Sequence, residues 1–218
     1  MSGIIIRWSY LKTVILILAI LLLLVDSPAA LYMPVGNITG LSGNVVVNKP
    51  GNEKPVGLRK EDAVFIGDIL RTGRKSRVQV TFIDDNFVNV SSESSIMVNQ
   101  YIFDRERKRR KVIVKLLEGG VRFILYKKYS NSSFAVEAGN ASITGNIADF
   151  TVKVSPHETE VIVLDGFVNV KNISSMVVGE IRLGINQKTA VKEKNPPSEP
   201  EIVTSQQRNA WIEETNVH

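Results

Sequence analysis

The segment from Gly67 to Val98 alternates apolar and polar residues with the two-residue period of β-strands. Its pattern predicts one strand over Ser76–Ile83 and a second over Phe87–Val90. The polar triplet Asp84–Asn86 between them tolerates positive φ, as a tight turn requires. The sequence therefore predicts a β-hairpin at this point.

A second stretch, Val161–Asn172, repeats the same arrangement. The tetrapeptide Phe-Val-Asn-Val occurs at residues 87–90 and again at 167–170, and Asp165-Gly166 stands where a turn is expected. A match of four residues can arise by chance, but the shared turn chemistry predicts a second hairpin. One repeat is too few for the sustained period of a solenoid.

From Gly36 to Val191 the apolar residues alternate or form short runs that Gly, Asn, Asp and Ser interrupt. This pattern predicts an all-β fold, an antiparallel β-sandwich or β-roll of roughly 12 short strands. We expect the β-domain to occupy residues 36–192. A Pro-rich linker and a short C-terminal helix are expected in residues 193–218, where Trp211 either docks on the β-domain or belongs to a mobile tail.

Residues 1–29 have the features of a secretory signal. Arg7 and Lys12 precede an apolar run, Val14–Val25, and Ser27-Pro28-Ala29 fits a cleavage site. The run is shorter than the roughly 20 residues that span a bilayer, although apolar residues before Lys12 could extend it into an uncleaved transmembrane helix. In either case the cations before the run place the rest of the chain outside the cytoplasm, in the periplasm or cell envelope.

Composition excludes several classes of site. The chain has no cysteine, so disulfides, thiolate nucleophiles and thiolate-bound metals are absent, and its two histidines, His157 and His218, are too few for a His-rich metal site. Asp84 and Asp85 are adjacent and point apart, which favours turn chemistry over a catalytic carboxylate pair. With no visible constellation of nucleophile and base, we expect no enzyme, no cofactor and no metal.

The densest charge lies in the stretch RERKRRK, Arg105–Lys111, between two predicted strands. It is a hairpin tip that either stays solvated, and so guards strand edges, or binds anionic envelope material such as lipid head groups, phosphorylated glycans or an acidic protein. A net charge of +5 agrees with anionic neighbours. Nucleic acid is not expected, because the run lacks interleaved aromatic residues. The candidate binding residues are Arg105, Arg107, Lys108, Arg109, Arg110 and Lys111.

The block around the first hairpin resembles the FecR domain family. The residues that carry the resemblance are Gly67-Asp68, Leu70, Thr72-Gly73, Ser76-Arg77-Val78, Asp84-Asp85 and Ser94, followed by LLEGGVRF from Leu116 and ASITGNIADFTVKV from Ala141, which contains Asp149-Phe150. An opening strand, TGLSGNVVV from Thr39, also fits. Family members often carry Gly-x-Arg-Gly-Thr before the Asp-Phe pair, whereas this chain has TGNIA at residues 144–148.

The resemblance implies an extracytoplasmic sensing or regulatory module. In the best-known members a cytoplasmic N-terminal segment controls a sigma factor while the outer part reads the state of a transport receptor. Here about a dozen residues precede the apolar run, too few to fold, so we expect the outer module without direct transcriptional control. We expect an exported, non-enzymatic module that binds a protein partner through strand edges and loops. The alternative is an envelope structural module that holds anionic glycan or lipid head groups through Arg105–Lys111.

Overall fold

The computed structural model describes residues 33–52, 54–129 and 131–217, and the regular structure of these residues is seventeen β-strands and one α-helix. The strands are β1 (Gly36–Ser42), β2 (Val45–Asn48), β3 (Val56–Gly57), β4 (Ala63–Val64), β5 (Ile69–Thr72), β6 (Arg77–Phe82), β7 (Phe87–Val90), β8 (Ser95–Asp104), β9 (Arg109–Leu125), β10 (Asn131–Ala138), β11 (Ala141–Gly145), β12 (Ala148–Val154), β13 (Glu158–Gly166), β14 (Val168–Asn172), β15 (Glu180–Leu183), β16 (Gln187–Lys192) and β17 (Glu201–Ile202), and the helix α1 is Ser205–Thr215.

The all-β prediction and the short C-terminal helix are confirmed. The strands outnumber the roughly 12 expected, because several are ladders of only two to four residues beside loops. The expected N-terminal helix lies outside the described residues. Within the described ranges, no helix has the length and apolar character needed to cross a membrane.

The strands pair into two sheets that share β9. Sheet 1 has the order β4-β1-β6-β7-β9-β12-β13-β16-β17. Sheet 2 has the order β3-β2-β5-β8-β9-β10-β11-β14-β15. The expectation of a purely antiparallel fold is corrected at one place, because β9 and β10 are parallel. The second half of β9 lies in sheet 1, and the chain then returns to sheet 2 with the start of β10 beside the start of β9.

Strand β9 turns from sheet 2 into sheet 1 at two glycines. Its first half pairs with β8, and its second half, from Gly119 onward, pairs with β12. Gly119 has φ 81°, and a Cβ there would lie 2.7 Å from the Glu93 carbonyl oxygen. The Ser94 hydroxyl accepts from the Gly120 amide at 2.9 Å, and the Ser91 hydroxyl donates to the Gly120 carbonyl at 2.8 Å. The crossing is therefore hydrogen-bonded and too close-packed for a side chain.

The inward faces of both sheets form one core. Strand alternation places every second residue inside, and the buried set includes Val78 and Val80 of sheet 1 and Val112 and Val114 of sheet 2. At its centre the Phe123 ring stacks on Phe150 with centroids 5.2 Å apart and meets Phe134 edge-on at 5.9 Å. Such aromatic pairs stabilise a core beyond the area they bury.

The two predicted hairpins have different outcomes. The first is confirmed, since β6 pairs with β7 across a turn in which Asp85 has φ 63°. The second is wrong, because β13 pairs with β12 and β16 whereas β14 pairs with β11 and β15. Gly166 instead carries the chain from sheet 1 to sheet 2, and a Cβ there would lie 2.6 Å from the Ile147 carbonyl oxygen. Asp165-Gly166 therefore stands where the chain crosses between the sheets. This crossing requires positive φ at Gly166, as a turn would.

The C-terminal helix docks on the outer face of sheet 1. Trp211 is buried with Ile162, Leu164 and Val203, and the Lys153 ammonium lies 4.9 Å from its ring centroid. Thr204 and Gln207 cap the start of the helix reciprocally. Of the two alternatives for Trp211, the structure shows docking, and this contact supplies stability that an isolated 11-residue helix lacks.

We expect Gly119→Ala to destabilise the fold by roughly 1–3 kcal/mol, because the added Cβ meets backbone and the residue keeps positive φ. Gly57→Ala is the matched control, since no atom lies within 4 Å of its added Cβ. Urea unfolding followed by circular dichroism measures both. Equal midpoints for the two variants would contradict the close-packed crossing.

Candidate functional site

Cationic side chains gather at one end of the two sheets. Asn131 of β10 lies beside Arg109 of β9, and the Asn131 amide donates to the Lys108 carbonyl at 3.5 Å. The preceding segment is tied to the β6–β7 turn by an ion pair between Lys127 and Asp85. We call this region the basic end and define it by its exposed cations, Arg105, Arg107, Lys108, Arg109, Lys127 and Lys128.

The β8–β9 turn has a defined conformation although its side chains are exposed. The Arg107 amide donates to Asp104 Oδ1 at 2.9 Å, and its guanidinium reaches Asp104 Oδ2 at 3.0 Å. These bonds hold the pKa of Asp104 below its ordinary value, chiefly through the backbone amide. Lys108 adopts φ 48° to close the turn. Arg107 is nevertheless 78% exposed, so its remaining donors face solvent.

A second ion pair keeps its charges at the same end. The hydrogen bond from Lys127 lowers the pKa of Asp85, and the same bond raises the pKa of Lys127. Arg105 lies close enough to lower the Asp85 pKa further. Both partners are about half exposed, so the pair connects two surface loops and adds little to folding stability.

The prediction that Arg110 belongs to this exposed set is wrong. Its side chain is fully buried, and its guanidinium donates to Asp84 Oδ2 at 3.0 Å. Further donors reach the Ser132 hydroxyl at 3.1 Å and the Asn146 carbonyl at 3.2 Å. Strand alternation turns residue 110 inward between the exposed Arg109 and Lys111. Arg110 is therefore committed to internal bonds and is not available to an external anion.

Asp84, the other member of the buried pair, organises the turn beside it. Asn86 donates its amide group to Asp84 Oδ2 at 2.6 Å and accepts from the Tyr126 backbone amide at 3.0 Å. Burial, followed by the nearby Asp84 charge, raises the pKa of Tyr101 far above its ordinary value, so this phenol stays neutral. The turn thus joins β6, β7 and the end of β9 through buried polar bonds.

The family-motif residues before β6 line the crossings between sheets. Asp68, next to Gly67 at φ 86°, accepts from the Phe65 amide at 2.9 Å and from the Lys49 ammonium at 2.6 Å. Thr72 Oγ1 accepts a hydrogen bond from the Ser94 amide. The Asn44 backbone is held from both sides: its carbonyl accepts from the Gly73 amide, and its amide donates to Ser76 Oγ. These residues hold backbone in place and form no shared pocket.

Asp149 and Phe150 face opposite sides of β12. Asp149 accepts two bonds from Arg122, at 2.8 Å from Nε and 2.6 Å from the terminal nitrogen. These bonds raise the pKa of Arg122, with the side-chain hydrogen bond as the main cause. Phe150 points into the core against Phe123. On the neighbouring strand β9, Arg122 bonds Asp149 on one face of sheet 1 and Phe123 packs on Phe150 on the other face.

Sequence reasoning missed two features. Lys127 and Lys128 join the basic end through the parallel register of β9 and β10, which local patterns do not reveal. An apolar loop, defined as Ile173–Gly179, exposes Met176 by 89% and Val178 by 90%. It lies at the end of sheet 2 opposite the basic end. Strand β10 starts beside Arg109 and ends at Ala138, which pairs with Ala141 at the start of β11. Asn172, the last residue of β14, pairs with that same Ala141. A signal was present in Met-Val-Val, which interrupts a polar loop.

In the part of the chain that the structure describes, no group of three or more His, Asp or Glu side chains could hold a metal ion.

The comparison with known families decides the interpretation of the central block. Residues 68–169 match the family FecR protein. The chain carries a FecR domain. The matched span covers β5 to β13 and enters β14, so it contains the buried Asp84–Arg110 pair as well as the basic end.

The FecR domain also resembles solved structures. Two crystal structures of a candidate anti-sigma factor from Parabacteroides distasonis ATCC 8503 align with TM-scores of 0.52, at 21% and 20% identity. Each alignment covers 66% of this chain and 64% or 63% of the other, so it spans less than two thirds of that protein's length. At this identity the similarity establishes the fold alone. No curated protein matches the chain.

Arg110→Met should lower the free energy of unfolding by about 3–5 kcal/mol, because it leaves the Asp84 carboxylate buried without its cation. Arg107→Met is the matched control and should cost about 1 kcal/mol or less, since its pair is exposed. Adding Asp84→Leu to Arg110→Met should recover much of the loss. Equal costs for the two single variants in urea unfolding would show that the buried pair is unimportant.

Proposed function

We propose that this protein is an exported, non-enzymatic sensing or regulatory module of the cell envelope that binds a protein partner. The observation that carries the proposal is the apolar loop, where Met176 and Val178 stand almost completely in solvent. Exposed apolar clusters on soluble domains mark interaction sites. Methionine adapts its shape to varied partner surfaces, so the two side chains suit an apolar pocket on another protein.

The base of the apolar loop is fixed. The Asn172 side-chain amide donates to the Lys192 and Asn195 carbonyls at 2.9 Å, and its oxygen accepts from the Ser174 amide at 2.8 Å. A fixed base lowers the entropy lost on binding. The loop thus presents its apolar tip in a preorganised position.

Strand β15 offers a second contact beside this loop. Among the described strands it pairs with β14, at the last position of sheet 2. Glu180 and Arg182 point to solvent along it. An extended partner segment can add to such an edge through main-chain hydrogen bonds while neighbouring pockets select its side chains. We therefore propose β15 and the apolar loop together as the docking surface.

The regulatory part of the proposal is supported by the FecR domain and by the fold shared with a candidate anti-sigma factor. Export is supported by the cations before the apolar run in residues 1–29. We place the domain in the periplasm or envelope, with residues 1–29 as signal or anchor, residues 36–192 as the FecR-like β-domain and residues 193–218 as its C-terminal linker and helix.

A second candidate is a structural module that holds anionic glycan or lipid head groups. The cations exposed at the basic end favour it. Compared with the ligands expected from the sequence, Arg110 is removed because it is buried, and the exposed Lys127 and Lys128 are added. Arg105, Arg107, Lys108, Arg109 and Lys111 remain candidate ligands.

The docking surface is tested with Met176→Ser/Val178→Ser. A photoreactive residue at position 175 identifies the neighbouring protein in cells, and the purified pair then gives the affinity. Loss of two anchors should weaken binding by at least about tenfold, while the unfolding midpoint stays unchanged because both side chains are exposed.

The matched control is Val56→Ser/Ile202→Ser, which removes two exposed apolar side chains from β3 and β17. It should bind as the wild type does. In a deletion strain, the control should restore the wild-type transcript profile and the loop variant should not. Full binding and full complementation by the loop variant would overturn the proposed docking surface.

A further inference from the structure

The β-domain begins at its basic end. Gly36 of β1 pairs with Phe82 of β6, and the Ile83 amide donates to the Val35 carbonyl at 2.9 Å. Asp85 follows in the turn and forms the ion pair with Lys127. The backbone at Val35 therefore lies beside the loops that carry the exposed cations.

The charge at this end is unbalanced. Six exposed cations, Arg105, Arg107, Lys108, Arg109, Lys127 and Lys128, stand against three acidic residues, Asp85, Asp104 and Glu106. The local balance is thus six minus three, or +3. Their spacing along two adjacent loops gives a broad cationic surface with no buried pocket, which suits a layer of anionic groups better than one enclosed ligand.

Apolar side chains accompany the cations. Tyr126 is 59% exposed, and its ring packs edge-on against Phe87 at 5.5 Å. Ile83, next to the β6–β7 turn, is also exposed. Tyrosine is enriched at membrane–water interfaces, where its ring lies among the lipid head groups. Lysine and arginine beside it can pair with the phosphates of anionic lipids.

The sequence before the β-domain favours a lipid surface over a soluble glycan. Only residues 26–34 separate the apolar run Val14–Val25 from Val35. Nine residues reach about 30 Å when fully extended. An apolar segment held in a bilayer would therefore keep the start of the β-domain near that bilayer's surface.

We propose that the basic end lies against anionic phospholipid head groups, with Tyr126 at the interface and the apolar loop directed away from the membrane. The proposal rests on the second candidate function above, whose ligand it names, and on residues 1–29 remaining as an anchor, but not on the docking surface. It assigns the two ends of the domain to different neighbours, lipid at one and protein at the other.

The full chain in vesicles tests this orientation. Because the chain has no cysteine, a fluorophore at Glu106→Cys reports on the basic end and one at Ser175→Cys on the apolar loop. A quencher on the lipid head groups measures proximity. In phosphatidylglycerol vesicles we expect quenching of the Glu106→Cys label to exceed that in phosphatidylcholine by about twofold or more. Salt near 1 M should remove the difference, because the screening length falls to about 3 Å.

Charge variants separate attraction by the basic end from simple tethering. Arg105→Gln/Arg107→Gln/Arg109→Gln should lose the dependence on phosphatidylglycerol. Lys54→Gln/Lys60→Gln/Lys171→Gln removes the same charge from exposed positions elsewhere and should keep it. All variants retain the N-terminal segment, so tethering is equal.

Three results would overturn the proposal: equal quenching of the Glu106→Cys label in the two lipids, stronger quenching at Ser175→Cys, or equal behaviour of the two charge variants. Binding to an anionic glycan without a response to phosphatidylglycerol would assign the surface to glycan instead. None of these results bears on the docking surface, which is measured with a purified protein partner.

Discussion

The structure depends on one buried ion pair, between Asp84 and Arg110. Removing two charges from water is costly, and the pair is sustained because further groups satisfy it: Asn86 donates to Asp84, while Ser132 and the Asn146 carbonyl accept from Arg110. The pair and its partners come from the β6–β7 turn, from β9, from β10 and from the connection before β12. The pair therefore joins both sheets at one end, and the exposed cations of that end stand on loops with fixed bases.

Alternation of apolar residues was enough to predict an all-β domain, and the turn at Asp84–Asn86 could be placed because its residues tolerate positive φ. The second hairpin failed for a physical reason: Asp-Gly permits a layer crossing as readily as a turn, and the choice is made by partners distant in sequence. Arg110 was misassigned among a run of cations. Extending the inward positions of Val112 and Val114 back by two residues would have placed it inside.

The same limits apply to the candidate sites. The cationic run was visible in the sequence, but Lys127 and Lys128 reach it only through the parallel pairing of β9 and β10. Met176 and Val178 look like core residues in sequence and are exposed because their loop extends past the last ladder position of sheet 2. The β-domain carries cations at one end and apolar side chains at the other, which agrees with the two different neighbours proposed for it.

Hydrogen exchange of arginine side chains tests the central role of the Asp84–Arg110 pair most directly. NMR of protein labelled with ¹⁵N-arginine resolves each Nε–H and follows its exchange with solvent. Arg110 is fully buried and bonded at three nitrogens, so its Nε–H should exchange many times more slowly than that of Arg107, whose side chain is exposed. Exchange of Arg110 as fast as that of Arg107 would contradict the account.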